Sequence, residues 1–229
     1  MNNDLLNTDE FQKALDDYFY LINHNYPEKG SLKLVGDRYQ LSSELRTILY
    51  RGISSSQRSH ARIQRLTNTP ERLLAIDGYN VLFTLLNYRL GRFVFISNDN
   101  ICRDAGSLFG KIKKEDLFVD CASILVNHLC CYKNLPVIIY LDSPVSFSIN
   151  HKQLLNSLLQ KYIIDGYAEV VHSADHALKQ LENCTLATSD SALIDACSNA
   201  VMDLSRQIIE KKYNAVLFNI RSKLDKVHR

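Results

Sequence analysis

The stretch LLAIDGYNVL, residues 73–82, decides the fold of this chain. A short apolar run leads directly into Asp77, a glycine follows, and further apolar residues then continue at helical spacing. A short apolar segment that ends in a turn and continues as a helix is typical of a buried strand in an α/β protein. The stretch therefore predicts a strand, a tight turn and a helix, with a carboxylate at the turn.

Strand-like and helical segments alternate from residue 73 onward. The predicted strands are LLAI (73–76), RFVFIS (92–97), PVIIYL (136–141), AEVVH (168–172), CTLAT (184–188) and AVMDL (200–204). The predicted helices cover roughly 81–90, 115–132, 150–164, 175–182 and 190–198. This alternation predicts an α/β fold in which helices sandwich a mostly parallel sheet. In such a sheet, functional residues lie just beyond the carboxyl ends of the strands.

The chain before this alternation predicts a small all-α domain, residues 1–70, in front of an α/β domain, residues 71–229. Helical spacing indicates one helix over Phe11–Ile22, a second over Ser31–Tyr39 and a third that starts at Ser42 or Ser43 and ends at Gly52. The last two resemble a helix-turn-helix, although short helical hairpins are mostly structural. The polar, basic stretch 54–72 is interpreted as a linker or a solvated helix.

Composition restricts the class of protein. The chain is 46% apolar and 23% charged, which is ordinary for a folded globular protein. No apolar run approaches the roughly 20 residues of a membrane helix, and the polar N-terminal sequence MNNDLLNTDEFQK is unlike a signal peptide. A cytoplasmic protein without a membrane partner is therefore expected. The six cysteines form no C-x-x-C pair, so we expect free thiols without a function.

Basic residues concentrate in one segment. Residues 31–72 contain eight Lys or Arg against three acids, a net charge of +5, whereas the other residues carry 19 bases against 22 acids, a net of −3. A basic segment attached to a mildly acidic body favours a polyanionic partner, here a nucleic acid. A solvated helical face is the simpler explanation of a charge cluster. The sequence leaves open whether the chain forms a homo-oligomer.

Four aspartates follow predicted strands. Asp77 and Asp142 come directly after their strands, Asp175 comes three residues after AEVVH, and Asp190 lies two residues beyond CTLAT. Each alone is explained by the preference of aspartate for turns and helix N-termini. Parallel strand ends converge at one edge of a sheet, however, and clustered carboxylates repel one another unless they hold protons or a cation. Oxygen ligands without His or Cys favour Mg²⁺ or Mn²⁺, and such ions support phosphodiester hydrolysis.

These motifs also carry a resemblance to a known family. LLAIDGYNVL resembles the first strand of NYN domains, a branch of the PIN-like nucleases in which a D-G-Y-N signature follows that strand. YLDS (140–143), SADHAL (173–178) and ATSDSALI (187–194) are similar to the later acidic motifs of that branch, in the order found in bacterial YacP-like ribonucleases. The N-terminal stretch 26–52 resembles that of prokaryotic proteins that pair a small helical domain of unknown function with a PIN-like domain.

The resemblance implies roles for particular residues. Asp77 would be the central ligand of Mg²⁺ or Mn²⁺, and the other three aspartates would complete the catalytic acidic cluster. Asn80 would orient Asp77 or contact a phosphate. Gly78 would keep the turn tight, and Ser189 would add a hydroxyl contact to the substrate.

Residues 98–116 have no counterpart in the YacP-like pattern. The basic residues of this insert, Arg103 and Lys111 among them, could grip backbone phosphates. Asp104 could be a fifth acid or the ion-pair partner of Arg103. Local structure is the favoured explanation of this insert.

The leading hypothesis is a Mg²⁺- or Mn²⁺-dependent nuclease that acts on RNA in preference to DNA. The first alternative is an RNA- or ribosome-binding adaptor that keeps the fold without the chemistry. The second is a helix-turn-helix DNA-binding regulator. A haloacid-dehalogenase-type phosphatase is excluded because Tyr79 stands where a second aspartate is required, and the chain has no Gly-rich phosphate loop.

Overall fold

The computed structural model describes residues 6–106, 114–132 and 134–224. The chain divides into two compact units. Unit 1 comprises the described residues within Met1–Gln64, Arg92–Gly106 and Leu217–Arg229, and unit 2 those within Arg65–Gly91 and Ser107–Val216. This division differs from the consecutive domains 1–70 and 71–229 expected from the sequence, because the described residues Arg92–Gly106 belong to unit 1 although they lie between two parts of unit 2 in the chain.

Unit 2 is an α/β unit. Its strands are β1 (Leu74–Asp77), β4 (Val137–Asp142), β5 (Gly166–Val171), β6 (Thr185–Ala187) and β7 (Ala200–Met202). Its helices are α5 (Gly78–Arg89), α6 (Glu115–Leu129), α7 (Ser148–Lys161), α8 (Ala174–Lys179), α9 (Ser191–Ala196) and α10 (Leu204–Tyr213). Labels follow chain order through both units. Helices flank the sheet, so the predicted α/β fold with a mostly parallel sheet is confirmed.

The strands of unit 2 lie in the order β5-β4-β1-β6-β7, and each neighbouring pair is parallel. Counted along the chain, this order is 3-2-1-4-5, so the chain turns back at β1 to build the other half of the sheet. Leu74, Ala75 and Ile76 are fully buried, as the apolar run in β1 predicts for a central strand. The carboxyl ends of β4, β1 and β6 therefore meet at one edge, where ligands bind in sheets of this kind.

The strand predicted at 92–97 does not join this sheet, which corrects the expected topology. Residues Val94–Ile96 form β2, which pairs with β3 (Cys102–Asp104) and β8 (Phe218–Asn219) in unit 1. Phe95 is fully buried there, and a Cβ added to Gly52 would lie 2.9 Å from its ring. An apolar run predicts a buried strand, but it carries no information about which sheet the strand joins.

The remaining elements of unit 1 are mostly helical, as predicted. They are α1 (Asp9–Asn23), α2 (Glu28–Arg38), α3 (Ser43–Gly52), α4 (Ser56–Ile63) and α11 (Arg221–Leu224). Side chains cap the N-termini of three of them: Thr8 for α1, Ser42 for α3 and Ser55 for α4. The stretch predicted as a linker or a solvated helix thus contains α4, but Arg62 in this helix is buried, so α4 is not simply solvated.

The basic segment is largely neutralised inside unit 1. Six of its eight bases pair with acids within 4 Å: Lys33, Arg38, Arg46, Arg51, Arg58 and Arg62. This pairing weakens the argument from net charge for a polyanionic partner. A base that is paired with an acid attracts a phosphate less strongly than an unpaired base does. Among the described residues, no helix has the length and apolarity needed to cross a membrane.

Candidate functional site

The four predicted acidic residues lie at the carboxyl edge of the unit 2 sheet. Asp77 ends β1 and is the N-cap of α5, whereas Asp142 ends β4. Asp190 follows β6 and caps α9, and Asp175 lies in the first turn of α8, the helix that follows β5. The topology alone thus brings to one edge four residues that are up to 113 positions apart in the sequence.

Two of these carboxylates, those of Asp77 and Asp190, are N-caps of the helices that follow them, and the carboxylate of Asp142 accepts from the first residue of α8, whose own N-cap is Ser173. The backbone N–H of Asn80 donates to Asp77 Oδ1 at 3.3 Å, and that of Leu193 donates to Asp190 Oδ1 at 2.8 Å. The N–H of Ala174 donates to Asp142 Oδ1 at 2.8 Å. Capping therefore accounts for the presence of aspartate at positions 77 and 190, although not for the burial of Asp77 among other acids.

The electrostatics of Asp77 are unusual. Its residue is 5% exposed, and burial, then the nearby charges of Asp175 and Asp142, raise the pKa of its carboxyl to about 7 from an ordinary value of 3.8. The N–H of Asn80 and the hydroxyl of Thr188 oppose this shift. Asp77 is therefore poised between its protonated and ionised forms near neutral pH.

Asp175 is affected in the same way. Burial raises the pKa of Asp175, and the negative charges of Asp190 and Asp142 raise it further, while Lys179 opposes them. Each of the four aspartates thus contributes to a shared negative field at the edge of the sheet. Perturbed carboxyl groups of this kind concentrate at functional sites.

A small hydrogen-bond network connects the motifs. The hydroxyl of Thr188 donates to Asp77 Oδ2 at 3.1 Å and accepts from the N–H of Asp190 at 3.1 Å. Asn80 Oδ1 accepts from both the N–H and the hydroxyl of Ser189, at 2.8 and 2.9 Å. The side chain of Asn80 therefore holds the turn after β6, and only its backbone N–H contacts Asp77. Thr188 was not expected to take part in the site, although it lies within the motif ATSDSALI.

Gly78 is required by close packing. A Cβ at this position would lie 2.8 Å from the carbonyl oxygen of Tyr140 and 2.7 Å from the Leu141 side chain. The glycine therefore lets the first turn of α5 approach β4 closely, and this approach fixes the position of Asp77 relative to Asp142.

Arg103, which was predicted to contact phosphates from the insert, does not belong to the acidic edge. Arg103 is 3% exposed and lies in β3 of unit 1, where its guanidinium donates to both carboxylate oxygens of Asp99 at 2.6 and 2.7 Å. Asp104 pairs with Arg51 at 3.3 Å. A buried, doubly bonded guanidinium is poorly placed to grip a phosphate, so local structure explains Arg103. Lys111 lies outside the described residues.

A hydrogen-bonded triad behind the motif, in which Tyr79 and His151 are buried and Glu115 is exposed, was not expected from the sequence. The hydroxyl of Tyr79 lies 2.8 Å from His151 Nδ1, and His151 Nε2 lies 3.0 Å from Glu115 Oε1. Burial lowers the pKa of His151 below its ordinary value, which favours a neutral imidazole that accepts from Tyr79 and donates to Glu115. The triad connects α5, α7 and α6, and it holds the first turn of α5 in place. The one sequence feature that could have drawn attention to the triad was the position of Tyr79 in the D-G-Y-N signature.

The donor set at the acidic edge fits a hard divalent cation. It consists of carboxylate and hydroxyl oxygens, which Mg²⁺ and Mn²⁺ prefer, and a cation would relieve the repulsion that raises the pKa of Asp77. Within the part of the chain that the structure describes, no three His, Cys, Asp or Glu side chains stand in a geometry that would hold a metal ion.

The fold and the site define a class: an α/β unit with an acidic edge at the point where its strand order reverses, attached to a helical unit. Residues 66–207 match the family described as a domain of unknown function, DUF5616, and residues 10–65 match the protein of unknown function family DUF434. The chain belongs to the DUF5616 family, and its N-terminal part matches DUF434.

A similar relative is the "Uncharacterized protein MJ0935" of Methanocaldococcus jannaschii. It is 32% identical over 203 residues, which cover 87% of this chain and 96% of the relative. No solved structure matches the chain. The match to this relative extends through both units, so the pairing of the two is common to both proteins.

Proposed function

We propose that unit 2 is a divalent-metal-dependent nuclease that hydrolyses phosphodiester bonds in RNA. The observation that carries this proposal is the state of Asp77. Its carboxyl is buried and faces the negative charges of Asp175 and Asp142, and its hydrogen-bond donors, Thr188 and the N–H of Asn80, are uncharged. An ionised carboxylate in this position gains stability from a cation that comes from outside the chain.

Different residues of the acidic edge would have different roles in this reaction. Asp77, Asp142, Asp175 and Asp190 would hold Mg²⁺ or Mn²⁺. Such an ion, when bound, lowers the pKa of a coordinated water and neutralises the charge that develops on the phosphoryl group. Thr188 keeps Asp77 oriented and fixes the backbone before Asp190, and Asn80 fixes the turn at Ser189. The hydrogen bonds at Oδ1 of Asp142 and Asp190 hold these carboxylates at the edge before a substrate arrives.

The preference for RNA rests on the resemblance of the four motifs to NYN and YacP-like ribonucleases. Those motifs coincide with the structural edge: the aspartate of D-G-Y-N ends β1, YLDS covers the last three residues of β4 and the residue after it, SADHAL begins α8 and ATSDSALI spans the turn from β6 to α9. Four matches at four strand ends that form one edge support the nuclease assignment more strongly than any single motif.

A non-catalytic RNA-binding adaptor is the second candidate. Two observations favour it: N-capping explains two of the four aspartates, Asp77 and Asp190, and the described residues contain no group of three acids in metal-holding geometry. Capping does not explain the repulsion at Asp77. The adaptor predicts RNA binding that is independent of a divalent ion.

The two candidates are separated by isosteric substitutions. Asp77→Asn and Asp190→Asn, alone and combined, keep a capping oxygen but remove a charge. We expect each to reduce Mn²⁺-dependent cleavage of single-stranded and structured RNA by roughly 100-fold or more, as changes around catalytic metals do. Calorimetry on the same variants should show weaker Mn²⁺ binding.

Asp203→Asn is the matched control. Asp203 follows β7 in the same sheet and caps α10 by accepting from the N–H of Arg206 at 3.1 Å, so it shares the local role of Asp190 without belonging to the four acids. Its variant should retain full activity. Cleavage that persists in the double variant, or in EDTA, would show that the acidic edge is not the active site.

A further inference from the structure

Phe147 is an exposed aromatic residue in the loop that leaves the acidic edge. It lies five positions after Asp142, immediately before α7, and it is 67% exposed. Its backbone is left-handed, with φ of +63°. Glycine and asparagine usually occupy this region, and a bulky aromatic residue there is an outlier.

Local folding does not account for this residue. Five of the nine described non-glycine residues with positive φ are asparagine: Asn25, Asn100, Asn134, Asn183 and Asn214. Phe147 is also the N-cap of α7, a position where Ser, Thr, Asp and Asn are preferred, and α7 starts without a side-chain cap. An exposed ring also buries little apolar surface. A strained, exposed residue next to a candidate active site is a reason to look for a ligand.

The loop holds Phe147 close to the acidic edge. The N–H of Val145 donates to the carbonyl of Asp142 at 3.3 Å, and that of Ser148 donates to the carbonyl of Val145 at 3.2 Å. The N–H of Ser143 donates to Val171 at the end of β5, at 2.8 Å. Two successive turns and an anchor to the sheet therefore fix the path between the carboxylate of Asp142 and the ring.

We propose that Phe147 is a stacking platform for a base of single-stranded RNA whose phosphodiester lies at the acidic edge. This inference rests on the proposed nuclease function and specifies its substrate. Bases in a duplex are already stacked on their neighbours, whereas single strands offer free faces to aromatic side chains. An acidic edge repels phosphates until a cation binds, so attraction for the base supplies affinity that the charge of the site cannot. Ile149, in the first turn of α7, is a second exposed apolar side chain in this segment and is 56% exposed.

The test separates base stacking from catalysis. Binding is measured in the Asp77→Asn background, which removes cleavage and one repelling charge, by the fluorescence anisotropy of a labelled single-stranded oligouridine. Adding Phe147→Ala should weaken binding about 10-fold, within the range found when stacking aromatics are removed, and Phe147→Trp should restore it. An abasic strand of the same length should bind equally to all three proteins, and a duplex should bind more weakly than the single strand.

Ile163→Ala is the matched control. Ile163 also has a positive φ, of 56°, and is 93% exposed, but it follows the other end of α7. Its variant should bind oligouridine like the Asp77→Asn parent. No measurable binding to the parent, or equal affinity with and without Phe147, overturns the stacking role. In wild type, Phe147→Ala should raise KM for single-stranded RNA more than it lowers kcat. Absence of any Mn²⁺-dependent cleavage by wild type would count against the nuclease, while the binding measurement would still decide the role of Phe147.

Discussion

Asp99 in unit 1 and Asp77 in unit 2 are the same residue type with nearly the same burial, 1% and 5% exposed, in opposite electrostatic environments. Asp99 accepts from the guanidinium of Arg103 through both oxygens, and Arg62 donates to it at 2.8 Å. Burial alone would raise the pKa of Asp99, but Arg103, Ser97 and Arg62 together hold it well below its ordinary value. At Asp77 the neighbouring charges are negative, and they add to burial.

The difference separates a structural carboxylate from a functional candidate. At Asp99 the chain supplies the positive charge, so the folded state satisfies the group completely. At Asp77 the chain supplies negative charge and neutral donors, so the folded state alone leaves the ionised group unfavourable. Burial by itself therefore does not mark a functional acid, whereas burial together with like-charged neighbours marks a candidate.

The largest expected effect is the loss of the negative charge at Asp99. Asp99→Asn should lower the free energy of unfolding by about 3–5 kcal/mol, because two buried guanidinium groups lose their counter-charge. Urea denaturation followed by circular dichroism measures this change. Asp37→Asn, at the exposed pairs with Lys33 and Arg46, is the control and should cost much less. If Asp99→Asn lowered the free energy of unfolding only slightly, the buried ion pairs of Asp99 would contribute little to stability. Asp99 would then not be an example of a carboxylate that its arginine partners stabilise.

The same substitution at Asp77 should act in the opposite direction. In EDTA at pH 8, Asp77→Asn should raise the free energy of unfolding by about 1–3 kcal/mol, since it removes a buried charge that faces other charges. The folded pKa, about 7, lies above the ordinary value of 3.8, so the folded state binds more protons between these values and wild type loses stability as pH rises through that range. Denaturation at pH 5 and pH 8 should therefore show a larger gain at pH 8. A destabilised variant at both pH values would contradict the unfavourable state of Asp77.

Added Mn²⁺ should give Asp77 in unit 2 the positive charge that the arginines already give Asp99 in unit 1. At ten times its Kd, a bound ion should stabilise wild type by about 1.4 kcal/mol, because it binds only the folded state. The melting temperature of wild type and of Asp203→Asn should rise with Mn²⁺, whereas that of Asp77→Asn should not. An equal rise of the melting temperature in all three proteins would show that Mn²⁺ binds at a site other than the acidic edge.

The smallest effects concern the hydroxyl donors. Thr188 donates to Asp77 as Ser97 donates to Asp99, at 3.1 and 2.5 Å. Thr188→Val and Ser97→Ala should each cost about 1 kcal/mol at pH 8, the usual value of one such bond. At pH 5 the cost of Thr188→Val should fall, because Asp77 then carries its proton, whereas that of Ser97→Ala should stay constant. Denaturation at both pH values tests this, and parallel behaviour of the two variants would contradict it.

Local sequence patterns predicted most strands and helices of unit 2 because such patterns reflect interactions between residues that are close in the sequence. The apolar run before Asp77 indicates a buried strand wherever it occurs, and the following glycine indicates a tight turn. The strand at 92–97 shows the limit: its residues form a strand as predicted, but its partners, β3 and β8, are fixed by contacts with the unit 1 core that no periodicity encodes. Arg103 shows the same limit, since a basic residue in a polar insert gives no sign that Asp99 will bury and bind it.

The sequence by itself determined that four aspartates follow four strands, and parallel pairing then requires these strand ends to share one edge. Only the tertiary structure decided that Asp77 is buried and that Asp175 and Asp142 act on its pKa. It also decided that Asp99, an unremarked residue of the insert, is neutralised by arginines. The physical reason is that strand periodicity depends on neighbouring residues, whereas desolvation and the electrostatic field at a carboxylate depend on groups brought close from distant parts of the chain.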